Sequence, residues 1–80
     1  MLSLTKMTQL LQHLDNMKDY QVRVIKEKEE LDIKIKALQK FIESKDFVDI
    51  GKLNEQISLR EQLKVMNQYS EILKTRINRY

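Results

Sequence analysis

Apolar side chains recur at alternating steps of four and three residues along most of this 80-residue chain. From about Asp19 to Glu43 the repeat has one polar member, Lys28. Its apolar members are Val24, Leu31, Ile35, Leu38 and Ile42. Two apolar residues in every seven are typical of a helix that packs lengthwise against another helix. The pattern therefore predicts a long helix, with Lys28 either fixing its register or holding its ammonium group in water beside the seam.

A second long helix is predicted from about Leu53 to Asn78 on the same pattern. Ser70 fills the one polar position of its inner seam. The apolar members of that seam are Leu59, Leu63, Met66, Leu73 and Ile77. Tyr69 lies on a neighbouring stripe, and we expect its ring to pack between copies of the chain with its hydroxyl at the rim.

The segment 44–52 separates the two helices and holds the single glycine of the chain, Gly51. Glycine adopts positive φ at little steric cost, so a turn is predicted here. Phe47, Val48 and Ile50 are expected to cap this end with apolar bulk. Because a short connection makes long helices antiparallel neighbours, the expected fold is all-α: an antiparallel two-helix hairpin packed like a coiled coil.

Residues 1–18 carry a third amphipathic pattern, and a short helix is predicted from about Leu4 to Asn16. Its apolar positions are Leu4, Met7, Leu10, Leu11, Leu14 and Met17. One domain is expected over residues 1–80, in which this N-terminal helix precedes the hairpin at 19–80. The pattern leaves open whether the helix packs on its own hairpin or on a neighbouring copy.

Composition indicates how so small a fold is stabilised. A chain of this length has a thin core, and with no cysteine and one histidine it cannot be braced by disulfides or by a thiolate or multi-histidine metal site. Small scaffolds without such braces commonly self-associate, so we expect a homo-oligomer with no cofactor and no metal.

The net charge is +3, and residues 52–80 hold six basic against three acidic side chains, so an anionic partner is best sought there.

The sequence also argues against several classes of function. No stretch approaches the ~20 apolar residues of a membrane span, and the N-terminus lacks a signal-peptide pattern, so a cytoplasmic protein is expected. His13 is the single imidazole, and Glu29, Glu30 and Asp32 lie among lysines as a solvated face. Without a nucleophile and base, a phosphate loop or zinc spacing, we expect no enzyme and no catalytic residue.

The open end of the predicted hairpin gathers the best candidates for ligand binding, because antiparallel pairing sets Tyr20 and Arg23 opposite residues 75–78. This open-end cluster consists of Tyr20, Arg23, Lys74, Arg76, Arg79 and Tyr80. A guanidinium group donates two hydrogen bonds to a phosphate, and a tyrosine ring stacks on a base. The cluster therefore suits a small anionic nucleotide. The alternative is an ordinary helix end, where the cations lie in solvent and interact favourably with the helix dipole.

Two strings resemble a family of small helical-hairpin proteins of bacteriophages and prophages, including crAss-like phages. They are Arg23-Val24-Ile25 with Glu27, Leu31, Leu38 and Ile42, and Leu59-Arg60-Glu61-Gln62 with Met66-Asn67, Tyr69, Ile72-Leu73 and Arg76. The resemblance covers about residues 20–77 and implies a phage origin without a settled catalytic role. In size and architecture the chain is also similar to helical sponges with which phages sequester cyclic-oligonucleotide immune signals, which implies ligand pockets between subunits.

These observations favour a phage counter-defence protein that binds its target stoichiometrically. In its most specific form, this hypothesis is a sponge that binds cyclic oligonucleotides in pockets between copies. The alternative is a small inhibitor or adaptor that docks a helical face on a host defence protein or another host protein. A purely structural coiled-coil adaptor is the third candidate. Long nucleic acid is not expected as a partner, because a chain of net charge +3 lacks the basic stripe that such binding needs.

Overall fold

The computed structural model describes residues 17–80, and every regular element within them is a helix. The elements are α1 (Asp19–Ile42), α2 (Lys45–Asp49) and α3 (Leu53–Ile77). The all-α prediction is confirmed for this part of the chain. Both long helices begin at the predicted residue and end one residue earlier than predicted. The helix predicted from Leu4 to Asn16 lies outside the described residues.

The two long helices lie side by side and run in opposite directions. Lys28 in the first half of α1 contacts Ser70 in the second half of α3, and Tyr20 near the start of α1 contacts Tyr80 just after α3. At 1.5 Å per residue each helix is about 36–38 Å long. The beginning of α1 and the end of α3 therefore share one end of the molecule.

The contact face between α1 and α3 is formed by the seam residues. Val24, Ile35 and Leu73 are buried, and Leu73 has no exposed surface. The remaining apolar seam residues are half-buried: Leu31, Leu38, Ile42, Leu59, Leu63, Met66 and Ile77. Within residues 17–80 the core is narrow because only two long helices pack together, so the loss of a single buried side chain is costly.

The connection is not a plain turn, because it contains the five-residue helix α2. Phe47 of α2 is 3% exposed, and its ring meets Phe41 edge to face with 6.3 Å between centroids. The guanidinium carbon of Arg60 lies 5.0 Å from the Phe47 ring centroid. The expectation that Val48 caps this end is wrong, since Val48 is 69% exposed. One residue after inward-facing Phe47, it is turned about 100° away.

Hydrogen bonds at the ends of the helices fix the path of the connection. The hydroxyl of Ser44 donates to the carbonyl oxygen of Phe41 at 2.6 Å, at the C-terminal end of α1. The side-chain amide of Gln56 donates to the carbonyl oxygen of Phe47 at 3.2 Å and so ties α3 to α2. Gly51 has φ of +71°, the left-handed conformation that its lack of a side chain permits.

Candidate functional site

Tyr20 and Tyr80 form the contact that closes the open end. Their ring centroids are 6.2 Å apart and their planes meet at 83°, an edge-to-face arrangement that aromatic pairs prefer. Tyr80 reaches this place because the chain keeps turning after α3: its backbone N–H donates to the carbonyl oxygen of Ile77 at 3.0 Å. The two tyrosines of the predicted cluster are therefore in contact.

The two tyrosines differ in their exposure to solvent. The hydroxyl of Tyr80 is enclosed, and within residues 17–80 it has no hydrogen-bond partner. A buried hydroxyl left unpaired costs about 1–3 kcal/mol. Tyr20, in contrast, is 51% exposed. The pair thus presents one accessible aromatic ring, that of Tyr20, and encloses the hydroxyl of Tyr80.

Two arginines flank the tyrosine pair. Arg76 lies one helical turn before Tyr80 and is half-buried, and Arg23 lies one turn after Tyr20 and is exposed. Residues three or four apart share a helix face, so each arginine lies on the side of its own tyrosine. Among residues 17–80 neither guanidinium group forms a salt bridge. Each of the two guanidinium groups can therefore donate two parallel hydrogen bonds to an anion.

Lys74 and Arg79 lie apart from these four side chains. Both are exposed, and at about 100° per residue Lys74 falls on the far side of buried Leu73 from Arg76. Arg79 follows α3 in a turn that its backbone N–H closes by donating to the carbonyl oxygen of Arg76 at 3.1 Å. The six residues of the predicted cluster therefore separate into a face of two tyrosines and two arginines, here called the tyrosine face, and two outlying cations.

Tyr69 extends the tyrosine face toward the middle of the helices. It lies two turns before Arg76 on the same side of α3. Its hydroxyl donates to the carboxylate of Glu27 on α1, and the residue is 42% exposed. The hydroxyl is thus hydrogen-bonded within its own chain. The sequence had predicted that it would lie at the rim of a contact between two copies. The contribution of Glu27 was not foreseen, although pairing in the expected register places it opposite Tyr69.

A polar network crosses the seam near its middle. The ammonium group of Lys28 donates to Asp32 Oδ2 at 2.7 Å and to Ser70 Oγ at 3.0 Å. The Ser70 hydroxyl donates in turn to Asp32 Oδ1 at 2.6 Å. We call Lys28, Asp32 and Ser70 the seam network. Of the two interpretations of Lys28, the one that leaves its ammonium group to water is wrong, because that group donates to Ser70 across the seam. Asp32 likewise does more than lie on a solvated face, because it accepts from both residues.

The seam network has the residue types of some nucleophilic sites, but its geometry suits helix pairing. A serine nucleophile needs an accessible oxygen and a base that draws its proton. Ser70 is 8% exposed and lies between two helices. Hydrogen bonds from Lys28 and then from Ser70 lower the pKa of Asp32 below its ordinary value of 3.8, which makes its carboxylate a weak base. The network holds α1 against α3 with every polar group paired.

The fold and the site together define a small protein, all-helical over residues 17–80, that offers an aromatic and cationic face. Within residues 17–80, no three histidine, cysteine, aspartate or glutamate side chains gather as a metal site. No helix in the same range is both long and apolar enough to cross a membrane.

This chain belongs to the Sequestin family, whose sequence profile matches residues 18–79. The matched region contains all three helices and ends one residue before Tyr80. A relative from Enterobacteria phage T4, the "Uncharacterized 7.5 kDa protein in denB-rIIB intergenic region", is 36% identical over 61 residues, which are 76% of this chain and 94% of the relative. The resemblance to small phage proteins is thereby confirmed, whereas the narrower likeness to crAss-like phages stays a prediction. No solved structure shows significant similarity to the chain.

Proposed function

We propose that this chain is a phage counter-defence protein that works by stoichiometric binding, without catalysis and without a cofactor, in the cytoplasm of the host cell. In its sharpest form it is a sponge: antiparallel hairpins assemble into an oligomer and sequester a cyclic oligonucleotide in pockets between copies. The observation that carries this proposal is the contact of Tyr20 with Tyr80 beside Arg23 and Arg76.

The tyrosine face matches the chemistry of a cyclic oligonucleotide part by part. The exposed ring of Tyr20 can stack on a base, an interaction that contributes about 1–3 kcal/mol in single-strand binding. Arg23 and Arg76 can each bind a phosphate through two parallel hydrogen bonds. One aromatic ring and two guanidinium groups on one face thus suit a ligand made of bases and phosphates.

The shape of one copy explains why the pocket is placed between copies. Pockets for small ligands enclose about 70–90% of the ligand surface. Two side-by-side helices present a convex surface, and a single tyrosine face lies open on one side of it. A second copy supplies the opposite wall, and a symmetric pair would hold a ligand that is itself symmetric. The family name speaks of sequestration, which agrees with binding rather than turnover.

The test is calorimetry with a panel of cyclic di- and trinucleotides on the full chain. The double variant Arg23→Gln with Arg76→Gln should lose at least about a hundredfold in affinity, because each lost charged hydrogen bond contributes about 1.5–3 kcal/mol. Lys40→Gln with Lys52→Gln removes the same charge from exposed positions near the other end of the helices and should bind nearly as the wild type does. If no member of the panel binds or shifts the melting temperature, the sponge proposal is wrong.

A second candidate function is docking onto a host protein, such as a defence protein. It is favoured by large apolar side chains that stay exposed on α3, among them Ile57 and Ile72. Binding of this kind should survive the Arg23 and Arg76 double variant, because apolar contact would dominate the interface. A host protein retained equally by the wild type and the double variant would therefore favour docking over the sponge.

A further inference from the structure

Glu27 places a negative charge at the border of the tyrosine face, beside the cations Arg23 and Arg76. Its carboxylate accepts a hydrogen bond from the hydroxyl of Tyr69 on α3. At about 100° and 1.5 Å per residue, Glu27 lies about 10.5 Å further along α1 than Tyr20 and is turned only about 20° from it. The carboxylate and the exposed ring of Tyr20 therefore lie along one line of the helix surface.

The carboxylate of Glu27 keeps acceptor capacity after its bond to Tyr69. Glu27 is exposed, and within residues 17–80 no lysine or arginine forms a salt bridge with it. An ionised carboxylate has about four lone-pair sites on its two oxygens, and the Tyr69 hydroxyl donates to Oε2. Because this bond already orders the side chain, a ligand that binds the carboxylate loses less conformational entropy in doing so.

The phosphates of a nucleotide give this carboxylate no role, because like charges repel. A carboxylate offers acceptors and no proton, so its partners are hydrogen-bond donors. In a nucleotide the donors belong to the base and to the ribose hydroxyls. The tyrosine rings beside Glu27 suit a base, which stacks on them by its face. The edge of that base is therefore the part of the ligand that Glu27 is placed to meet.

The bases differ in what their Watson–Crick edges offer to a carboxylate. Guanine presents two neighbouring donors, N1–H and N2–H, which match the two oxygens of one carboxylate. Adenine, cytosine and uracil each place an acceptor next to their donor, and a carboxylate oxygen repels that acceptor. Proteins commonly read unstacked bases on this edge while aromatic side chains stack on the faces. A fixed carboxylate at the border of an aromatic face thus favours guanine.

We propose that Glu27 selects guanine, so that the preferred ligands of the tyrosine face are guanine-containing nucleotides. The inference deepens the proposed function and rests on it for the choice of a nucleotide as the ligand. Arg23 and Arg76 bind phosphate whatever the base is, and a tyrosine ring stacks on any base. Among the described side chains of this face, Glu27 is the one whose chemistry distinguishes one base from another.

Calorimetry on the full chain with cyclic di-GMP and cyclic di-AMP tests the selection, because these two ligands differ only in their bases. The wild type should bind cyclic di-GMP at least about tenfold more tightly, since hydrogen bonds to a charged group separate the two. Glu27→Gln should lose about tenfold to a hundredfold in affinity for cyclic di-GMP. It should lose nothing for cyclic di-AMP, because an amide supplies both the acceptor and the donor that adenine pairs with.

A wild-type chain that binds both cyclic dinucleotides equally, or prefers the adenine one, would overturn the proposal. Equal affinity is also the result expected if Glu27 bound a ribose hydroxyl, which both ligands carry. A Glu27→Gln variant that loses the same factor for both ligands would likewise count against base selection.

Glu29→Gln is the matched control for charge. It removes the same charge two residues further along α1, where about 200° of rotation places the side chain on the other side of the helix. Both affinities should stay within about twofold of the wild type, because salt largely screens exposed charges that lie a Debye length away. If Glu29→Gln lost as much affinity for cyclic di-GMP as Glu27→Gln, a general charge effect would replace the proposal.

Tyr69→Phe separates base selection from a purely structural role of Glu27. This variant removes the hydrogen bond between α1 and α3 but keeps both the aromatic ring and the carboxylate. It should still prefer cyclic di-GMP, whereas Glu27→Gln should not. If both variants lost the preference to the same degree, Glu27 would act only by tying the two helices together, and the proposal would be wrong.

Linear nucleotides distinguish a failure of this inference from a failure of the sponge. In titrations with 5′-GMP and 5′-AMP, the ring resonances of Tyr20 and Tyr69 in NMR spectra report binding. 5′-GMP should bind more tightly than 5′-AMP, and Glu27→Gln should remove the difference. If the cyclic dinucleotides fail to bind but this difference is found, the sponge alone is wrong. If they fail and the two linear nucleotides also bind equally or not at all, guanine selection is overturned as well.

Discussion

Replacing Ser70 by alanine removes one oxygen atom from the middle of the helix pair. That oxygen accepts a hydrogen bond from Lys28 Nζ at 3.0 Å and donates one to Asp32 Oδ1 at 2.6 Å. Hydrogen bonds to charged groups contribute about 1.5–3 kcal/mol. The side chains of Lys28 and Asp32 keep their own contact at 2.7 Å and stay 23% and 39% exposed, so water replaces part of what is lost. We expect the free energy of unfolding to fall by about 1–2 kcal/mol.

Thermal melts followed by circular dichroism measure this loss. For a chain of this size, about 1–2 kcal/mol lowers the melting temperature by about 4–16 °C. All variants are compared at one protein concentration, because the melting temperature of any chain that self-associates depends on it. Ser58→Ala is the control: Ser58 is exposed on the same helix, and alanine brings the same gain in helix propensity there. Its effect should stay within about 0.5 kcal/mol.

A Ser70→Ala variant as stable as Ser58→Ala would refute the reasoning, because the buried oxygen would then contribute nothing beyond what water supplies. A double-mutant cycle adds a second check. Asp32→Asn and Ser70→Ala share a hydrogen bond, so their combined cost should fall short of the sum of the single costs by about 0.5–3 kcal/mol. Strict additivity would show that the two side chains do not interact in solution.

Three further outcomes are expected. Hydrogen bonds from Lys28 and Ser70 hold the pKa of Asp32 below 3.8. The stabilisation by the Asp32 carboxylate is therefore complete above about pH 4 and is lost as the pH falls through the lower folded-state pKa. Melts in acid should show a decline in melting temperature from this loss, which Asp32→Asn lacks. Gly51→Ala should cost about 1–2 kcal/mol in the same melts, because φ is +71°, and Gly51→Asn should cost less. Tyr80→Phe should leave the melting temperature unchanged or raise it, since an enclosed unpaired hydroxyl is removed; a clear fall would show that the hydroxyl is bonded in solution.

Hydrophobic periodicity predicted both long helices, because the seam repeat of each keeps its step through its one polar member, Lys28 or Ser70. The connection could not be predicted in the same way. Helix α2 has five residues, which is too short for a 3.6-residue period to repeat. Phe47 and Val48 are both apolar, and only the turn of α2 decides that the first is buried and the second exposed.

The seam network was within reach of the sequence, although it was not foreseen. Lys28 and Ser70 are the polar members of the two seams, and antiparallel pairing in the expected register sets them opposite each other. A lysine facing a serine across a seam needs an acceptor, and Asp32 lies one turn further along. Neither residue alone indicates the hydrogen bonds, which follow only when the two seams are aligned with each other.

The open-end cluster was predicted by proximity along the chain, and proximity alone could not separate its members. Tyr20 and Tyr80 meet because antiparallel helices bring the two ends together. Lys74 lies within the same stretch but falls on the other flank of the seam, which follows from its angle relative to Leu73. Helix angle therefore decides which of the candidate side chains share a face.

The seam network and the tyrosine face depend on the same register of α1 against α3. Sliding α3 by one turn moves it by about 5.4 Å, which would break the bond of Lys28 to Ser70 and separate the rings of Tyr20 and Tyr80. Leucine, isoleucine and methionine replace one another at modest cost, so apolar seams alone define the register weakly. A buried polar pair defines it strongly, as in coiled coils. Apolar replacement of the network would avoid its desolvation and could stabilise the helix pair. A register held in this way keeps Tyr20 against Tyr80 about 15 Å away, at the end where the ligand is proposed to bind.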